Sequence, residues 1–82
     1  MSDDRALRLE RIRWRSRRGL LEMDLVLTRF MEQYLENLSE EDLLAYTELL
    51  LESDNDLLDF VNARANPRSD KQQKIVDMWR LV

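Results

Sequence analysis

The sequence predicts an all-α protein folded as a compact five-helix bundle. One glycine and one proline in 82 residues are too few breakers for a turn-rich β fold. Apolar residues recur at spacings of three and four along most of the chain, the period of an amphipathic helix. Ser39, Ser53 and Ser69 each stand before an acidic residue and a new apolar run, as helix N-caps do.

The first helix is expected to be capped by Asp3 or Asp4 and to run to about Arg18. Its apolar residues are Leu7, Leu9, Ile12 and Trp14, and arginines fill the other positions. Gly19 ends this helix or bends it into the next, and a lone glycine there suggests a positive φ or a close approach by another chain. The second helix spans Leu20 to about Asn37. Leu20, Met23, Leu27, Phe30, Met31, Tyr34 and Leu38 form its stripe, broadened by Leu21, Leu25 and Val26, so it is expected to be the most buried element. Ser39 with Glu40, Glu41 and Asp42 starts a third helix through about Leu51, with Leu43, Leu44, Tyr46, Leu50 and Leu51 as its apolar side. Ser53-Asp54-Asn55-Asp56 breaks it and caps a short fourth helix carrying Leu57, Leu58, Phe60 and Val61. Asn66-Pro67 is a stop. Ser69-Asp70-Lys71-Gln72 reads as a capping box for the fifth, with Ile75, Val76, Met78, Trp79 and Val82 inward.

At this length one domain is expected, residues 1–82. No apolar run of 18 residues exists, so no membrane insertion is expected. The charged N-terminus predicts no signal peptide. The chain has neither Cys nor His, which removes disulfides, thiolate or imidazole metal sites, Ser-His triads and thiol nucleophiles. A short helical chain also leaves little room for a cleft, so an enzyme is not expected. Asp54, Asp56 and Asp59 lack the loop, glycine and terminal glutamate of a calcium site, and are read as capping residues.

Charge is bipolar. Residues 1–20 carry a net +4, residues 21–60 a net −11 and residues 61–82 a net +3. Basic ends can fold on an acidic middle, or opposite patches can face a partner. Arg11, Arg13, Arg15, Arg17 and Arg18 alternate in part, and alternate residues on a helix do not share a face. The overall charge of −4 also argues against a nucleic-acid binder. Arg18 and Glu22 are one turn apart. An i,i+4 pair in that order is the weaker one, so helix stability explains them only partly and a partner-binding role stands beside it.

The run from Arg11 to Asp24 resembles the signature of the SdhE family, called succinate dehydrogenase assembly factor 2 in mitochondria. The pattern Arg-Gly-x-x-Glu is carried by Arg18, Gly19 and Glu22, with Trp14, Arg17 and Asp24 around it. Leu50-Leu51-Glu52, then Asp54, Asp56 and Leu57, resembles a second acidic segment of that family. Ser16 stands where many members have Cys, and Phe60 where they often have Trp.

The resemblance implies a five-helix cytoplasmic assembly factor, expected as a monomer. It implies binding to the flavoprotein subunit of succinate dehydrogenase, and in bacteria also that of fumarate reductase, with promotion of covalent FAD attachment there. No covalently bound cofactor is expected on this chain, which also lacks a Gly-rich dinucleotide fingerprint. Arg18, Gly19 and Glu22 are the implied partner-binding residues, with Arg17, Asp24 and Trp14 as rim. Arg18 is expected to hold a partner carboxylate. The alternative is a small regulatory helical module that binds another protein or nucleic acid through the arginine helix.

Overall fold

A computed structural model describes residues 3–82. Its helices are α1 (Asp3–Arg15), α2 (Leu21–Tyr34), α3 (Glu40–Leu49), α4 (Asp54–Val61) and α5 (Asp70–Leu81), with a 3-10 turn at Leu35–Asn37. No strand occurs among the described residues. The radius of gyration is 12.1 Å, against about 12 Å expected for a compact chain of this length. The five-helix all-α bundle is therefore the fold.

The three serines act as N-caps. Ser39 accepts from the Asp42 N–H, Ser53 from Asp56 and Ser69 from Gln72. The third cap is only half of the expected box. The Gln72 side chain does not reach back but donates to Glu48 Oε1 at 3.2 Å, tying α5 to α3. Asp3 and Asp4 lie inside α1, and the position that would cap it falls outside the described residues.

The core joins all five helices. Met23, Leu27 and Phe30 from α2, Tyr46 and Leu49 from α3, Leu57 from α4, and Ile75, Val76 and Trp79 from α5 are almost fully buried. Phe30 packs at ring-centroid distances of 4.9 Å from Tyr46 and 6.3 Å from Trp79, the latter edge-on. The expectation that α2 is the most buried element needs correcting. α3 contributes more buried residues, and α3 and α5 form the most extensive helix pair. Leu21 and Leu25, expected to widen the α2 stripe, face solvent, as do Leu44 and Leu51 of the third apolar run. The broad stripe exceeds what a small bundle can cover on one side.

The basic ends do fold on the acidic middle. Arg5 and Arg8 both pair with Glu40, Lys71 pairs with Glu41, and Lys74 meets Asp42 at 2.9 Å. Arg5 also donates to the carbonyl of Leu38 at 2.8 Å. The Arg5 and Arg8 contacts, with Leu9 and Ile12 in the core, hold α1 on the bundle, and those of Lys71 and Lys74 tie α5 to α3. The Arg8 hydrogen bond holds the Glu40 carboxyl below its ordinary pKa.

α4 ends in a Schellman turn. The Arg64 N–H reaches the Asp59 carbonyl at 2.8 Å and the Ala63 N–H that of Phe60 at 3.2 Å. Arg80 adds two bonds to the Phe60 carbonyl. Ala63 has φ 60°, a left-handed conformation that costs an L-residue roughly 1–2 kcal/mol. Ala63→Gly is expected to stabilise the fold by about 0.5–1 kcal/mol net of the added unfolded-state entropy. A thermal melt checks this, and a rise of several degrees is the expected result.

Candidate docking loop

Helix α1 stops at Arg15, three residues before the expected end at Arg18. Two local bonds account for this. Ser16 Oγ donates back to the Ile12 carbonyl at 2.7 Å, and the Arg18 N–H leaves the helical ladder to donate to Asp24 Oδ1 at 2.9 Å. Residues 16–20 thus form a short connection between α1 and α2.

Gly19 is exposed and its φ is not positive, so of its two readings, a left-handed turn or a close approach by another chain, the first does not hold. A Cβ there would meet only Asp54 Oδ2, at 3.9 Å, an ordinary contact. Folding alone therefore gives no reason for glycine at this position. Glu22 is exposed in the first turn of α2, where the helix dipole favours an acid.

Arg18 points inward. Its side chain is 12% exposed. Nη2 donates to the carbonyls of Leu50 at 2.7 Å and Arg15 at 3.2 Å, and Nη1 to that of Glu52 at 3.4 Å. Nη1 also lies 3.4 Å from Asp54 Oδ1. The guanidinium thereby caps the C-terminal ends of α1 and α3, where a cation is favourable. Both Nη groups are thus engaged within the fold, while Nε is buried without a partner. No Arg18–Glu22 ion pair forms; Asp54 takes that place.

Asp54, the first residue of α4, also accepts the Leu20 N–H through Oδ2 at 3.1 Å. Leu20 is the N-cap residue of α2 and has no side-chain cap of its own. Asp24 and Asp54 therefore hold the backbone on either side of Gly19. Asp24, expected at the rim, is a brace of the loop.

Trp14 and Arg17 are outward, Trp14 at 70% exposure. With Asp24 and the half-buried Met31 they line an open groove of about 630 Å³ between α1 and α2. The structure thus brings Trp14, Arg17 and Asp24 together, beside a connection that carries Arg18, Gly19 and Leu20.

Under this connection lies a buried polar pair. Ser16 is 1% exposed. Because its hydroxyl proton goes to Ile12, the Tyr46 hydroxyl donates to Ser16 Oγ at 2.7 Å. Burial pushes the Tyr46 pKa up to about 12, against the opposing pulls of the Ser16 bond and the Arg18 charge. Raised above the unfolded value near 10, it favours folding fully below that pH, and the benefit is lost as pH rises toward 12. Stability is expected to fall by roughly 2–3 kcal/mol across that window. Tyr46→Phe is expected to cost about 0.5–1.5 kcal/mol at neutral pH and to remove this part of the alkaline loss. Urea titrations at pH 8 and pH 11 measure both.

Sequence reasoning misses Asp54 and Tyr46 as parts of this region. It gives Asp54 as a capping residue and Tyr46 as core; Tyr46 is core and carries a second task, whereas the cap of α4 is Ser53 and the Asp54 carboxylate turns instead to Leu20 and Arg18. The signal is the second acidic segment, Leu50 to Leu57, whose carbonyls and carboxylate meet Arg18.

No solved structure gives a significant match to this chain. Among curated proteins, the FAD assembly factor SdhE of Ralstonia nicotianae is 48% identical over 60 residues, covering 73% of this chain and 63% of its own length. The chain thus spans less than two-thirds of that relative. The FAD assembly factor SdhE of Coxiella burnetii is 34% identical over 67 residues, 82% of each chain. That of Pseudomonas aeruginosa is 33% identical over 70 residues, 85% of this chain and 83% of its own. Residues 10–81 match the family described as Sdh5, flavinator of succinate dehydrogenase. This stretch takes in the connection at Gly19 and both carboxylates that brace it, and the chain belongs to that family.

Proposed function

We propose that this chain is a non-enzymatic assembly factor that docks on the flavoprotein subunit of succinate dehydrogenase and promotes covalent attachment of FAD to it. The observation that carries the reading is the exposed Gly19, for which the fold has no need, inside the family-matched segment. A bare backbone beside Glu22 suits close approach by a partner chain. Glu22 offers acceptors to a partner Arg or N–H. Arg17 and Trp14 flank the contact, and Asp24 and Arg18 hold it from within. The flavoprotein of fumarate reductase is a second client in this reading. The chain acts as a single domain and a monomer in the cytoplasm.

With no His or Cys, this chain offers no histidyl or cysteinyl group to carry FAD, so it works on its partner. Tighter binding to the conformer in which flavin and acceptor histidine are aligned raises the population of that conformer. Alignment by itself can contribute several kcal/mol to a bond-forming step.

The test is covalent flavin on the flavoprotein subunit, read by in-gel fluorescence in cells with and without this protein. Loss of signal on deletion is the expected result, restored by wild type and not by folded Glu22→Ala protein. An undiminished signal without the protein would remove the reading.

A further inference from the structure

The geometry points to Asp54 as a positioning residue for partner binding: from the start of α4 it sets the Arg18–Leu20 connection that carries Gly19, an assignment that rests on the docking role proposed above. Asp54 lies far from Gly19 in sequence and contributes to no part of the Arg-Gly-x-x-Glu pattern. Yet one carboxylate serves two groups there, the Leu20 N–H at 3.1 Å and the Arg18 guanidinium at 3.4 Å. Both sit in a partly sheltered place, with the Asp54 side chain 27% exposed and that of Arg18 12%. Charge-assisted bonds in such a setting are stronger than surface pairs.

The side chains of Leu20 and Arg18 anchor the connection on the core and on three carbonyls, but its backbone has few other ties. Leu20 lacks a side-chain cap, and the backbone there is tied by Asp24 to Arg18 and by Asp54 to Leu20. Without Asp54, Arg18 keeps its carbonyl partners, so the bundle remains tied, but the N-cap of α2 is released. The docking conformation then becomes one of several. Apparent affinity falls in proportion to the fraction that remains competent. The α3–α4 corner thus controls a surface to which it adds no contact.

The experiment measures binding of purified full-length protein to the flavoprotein subunit of succinate dehydrogenase by calorimetry. Wild type, Asp54→Ala, Asp54→Asn and Glu22→Ala are compared. Amide hydrogen exchange and thermal melts are recorded on each protein alone. Asp54→Ala is expected to lose protection at the Leu20 amide and to weaken binding roughly tenfold or more, the scale of a lost charged hydrogen bond. Asp54→Asn keeps an oxygen acceptor for Leu20 and is expected to recover part of the affinity and the protection together. That parallel recovery, measured on folded protein, is something a general loss of stability would not produce. If wild type binds and either folded Asp54 variant loses Leu20 protection yet binds within about twofold of wild type, the positioning role is overturned while the docking reading stands. The positioning role is likewise overturned if Asp54→Asn is folded and keeps wild-type protection but loses affinity, since Asp54 would then touch the partner. If wild type does not bind, the docking reading fails and this inference fails with it. Should Asp54→Ala not fold, the near-isosteric Asp54→Asn decides by the same comparison.

Discussion

Phe30→Ala is expected to cost about 3–5 kcal/mol. Phe30 is fully buried, and its ring meets those of Tyr34, Tyr46 and Trp79. Those neighbours belong to three helices, so the cavity left behind cannot close by one side chain moving. A chain of this length has a total stability of about 4–12 kcal/mol, so the variant loses a large share of it. Urea denaturation followed by circular dichroism measures the loss. Leu51→Ala serves as the control. Leu51 is 87% exposed, and its truncation is expected to stay within about 0.5 kcal/mol. Equal losses in the two variants would contradict the core described above.

Gly19→Arg is expected to lower flavin attachment about a hundredfold, the effect of displacing aligned groups by about an ångström, while the protein stays folded. The position is exposed, its φ is not positive and the nearest neighbour of an added Cβ would sit at 3.9 Å. Nothing inside the fold therefore rejects a side chain. Gly19→Ala separates docking from folding further. It adds one methyl and is expected to melt within a few degrees of wild type while attachment falls by a smaller factor than with arginine. The readouts are covalent flavin on the partner and a melt of the isolated protein. A folded Gly19→Arg protein that supports attachment normally would show that Gly19 does not face the flavoprotein.

Helix positions are legible because they depend on local chemistry. Ser39, Ser53 and Ser69 cap through bonds to a residue three positions on, and such bonds depend on local spacing. The ends are less legible. Arginine is a good helix former, so the sequence carries helix α1 on to Arg18, but the Arg18 N–H is taken by Asp24. The widths of the apolar stripes mislead in the same way. Leu21, Leu25, Leu44 and Leu51 match the period, yet which apolar residues are covered depends on how many neighbours a helix has.

Pattern finds the candidate docking residues and does not find their roles. Arg18 and Glu22 look alike in sequence as two charges flanking a turn. One is turned inward onto the carbonyls of Leu50, Arg15 and Glu52, and the other is left in solvent. The helical class, the three serine caps, the absence of thiol and imidazole chemistry and the neighbourhood of Gly19 are legible in one dimension. Those follow from composition and from contacts within one helical turn. It takes the packed fold to show that Arg18 and Asp24 brace the connection, that Asp54 joins them across 34 residues from Leu20 and that Gly19 has room for a side chain and no positive φ. Those depend on which distant backbone carbonyls and carboxylates the packing of α1, α3 and α4 brings within hydrogen-bond reach, and one-dimensional spacing carries no record of that.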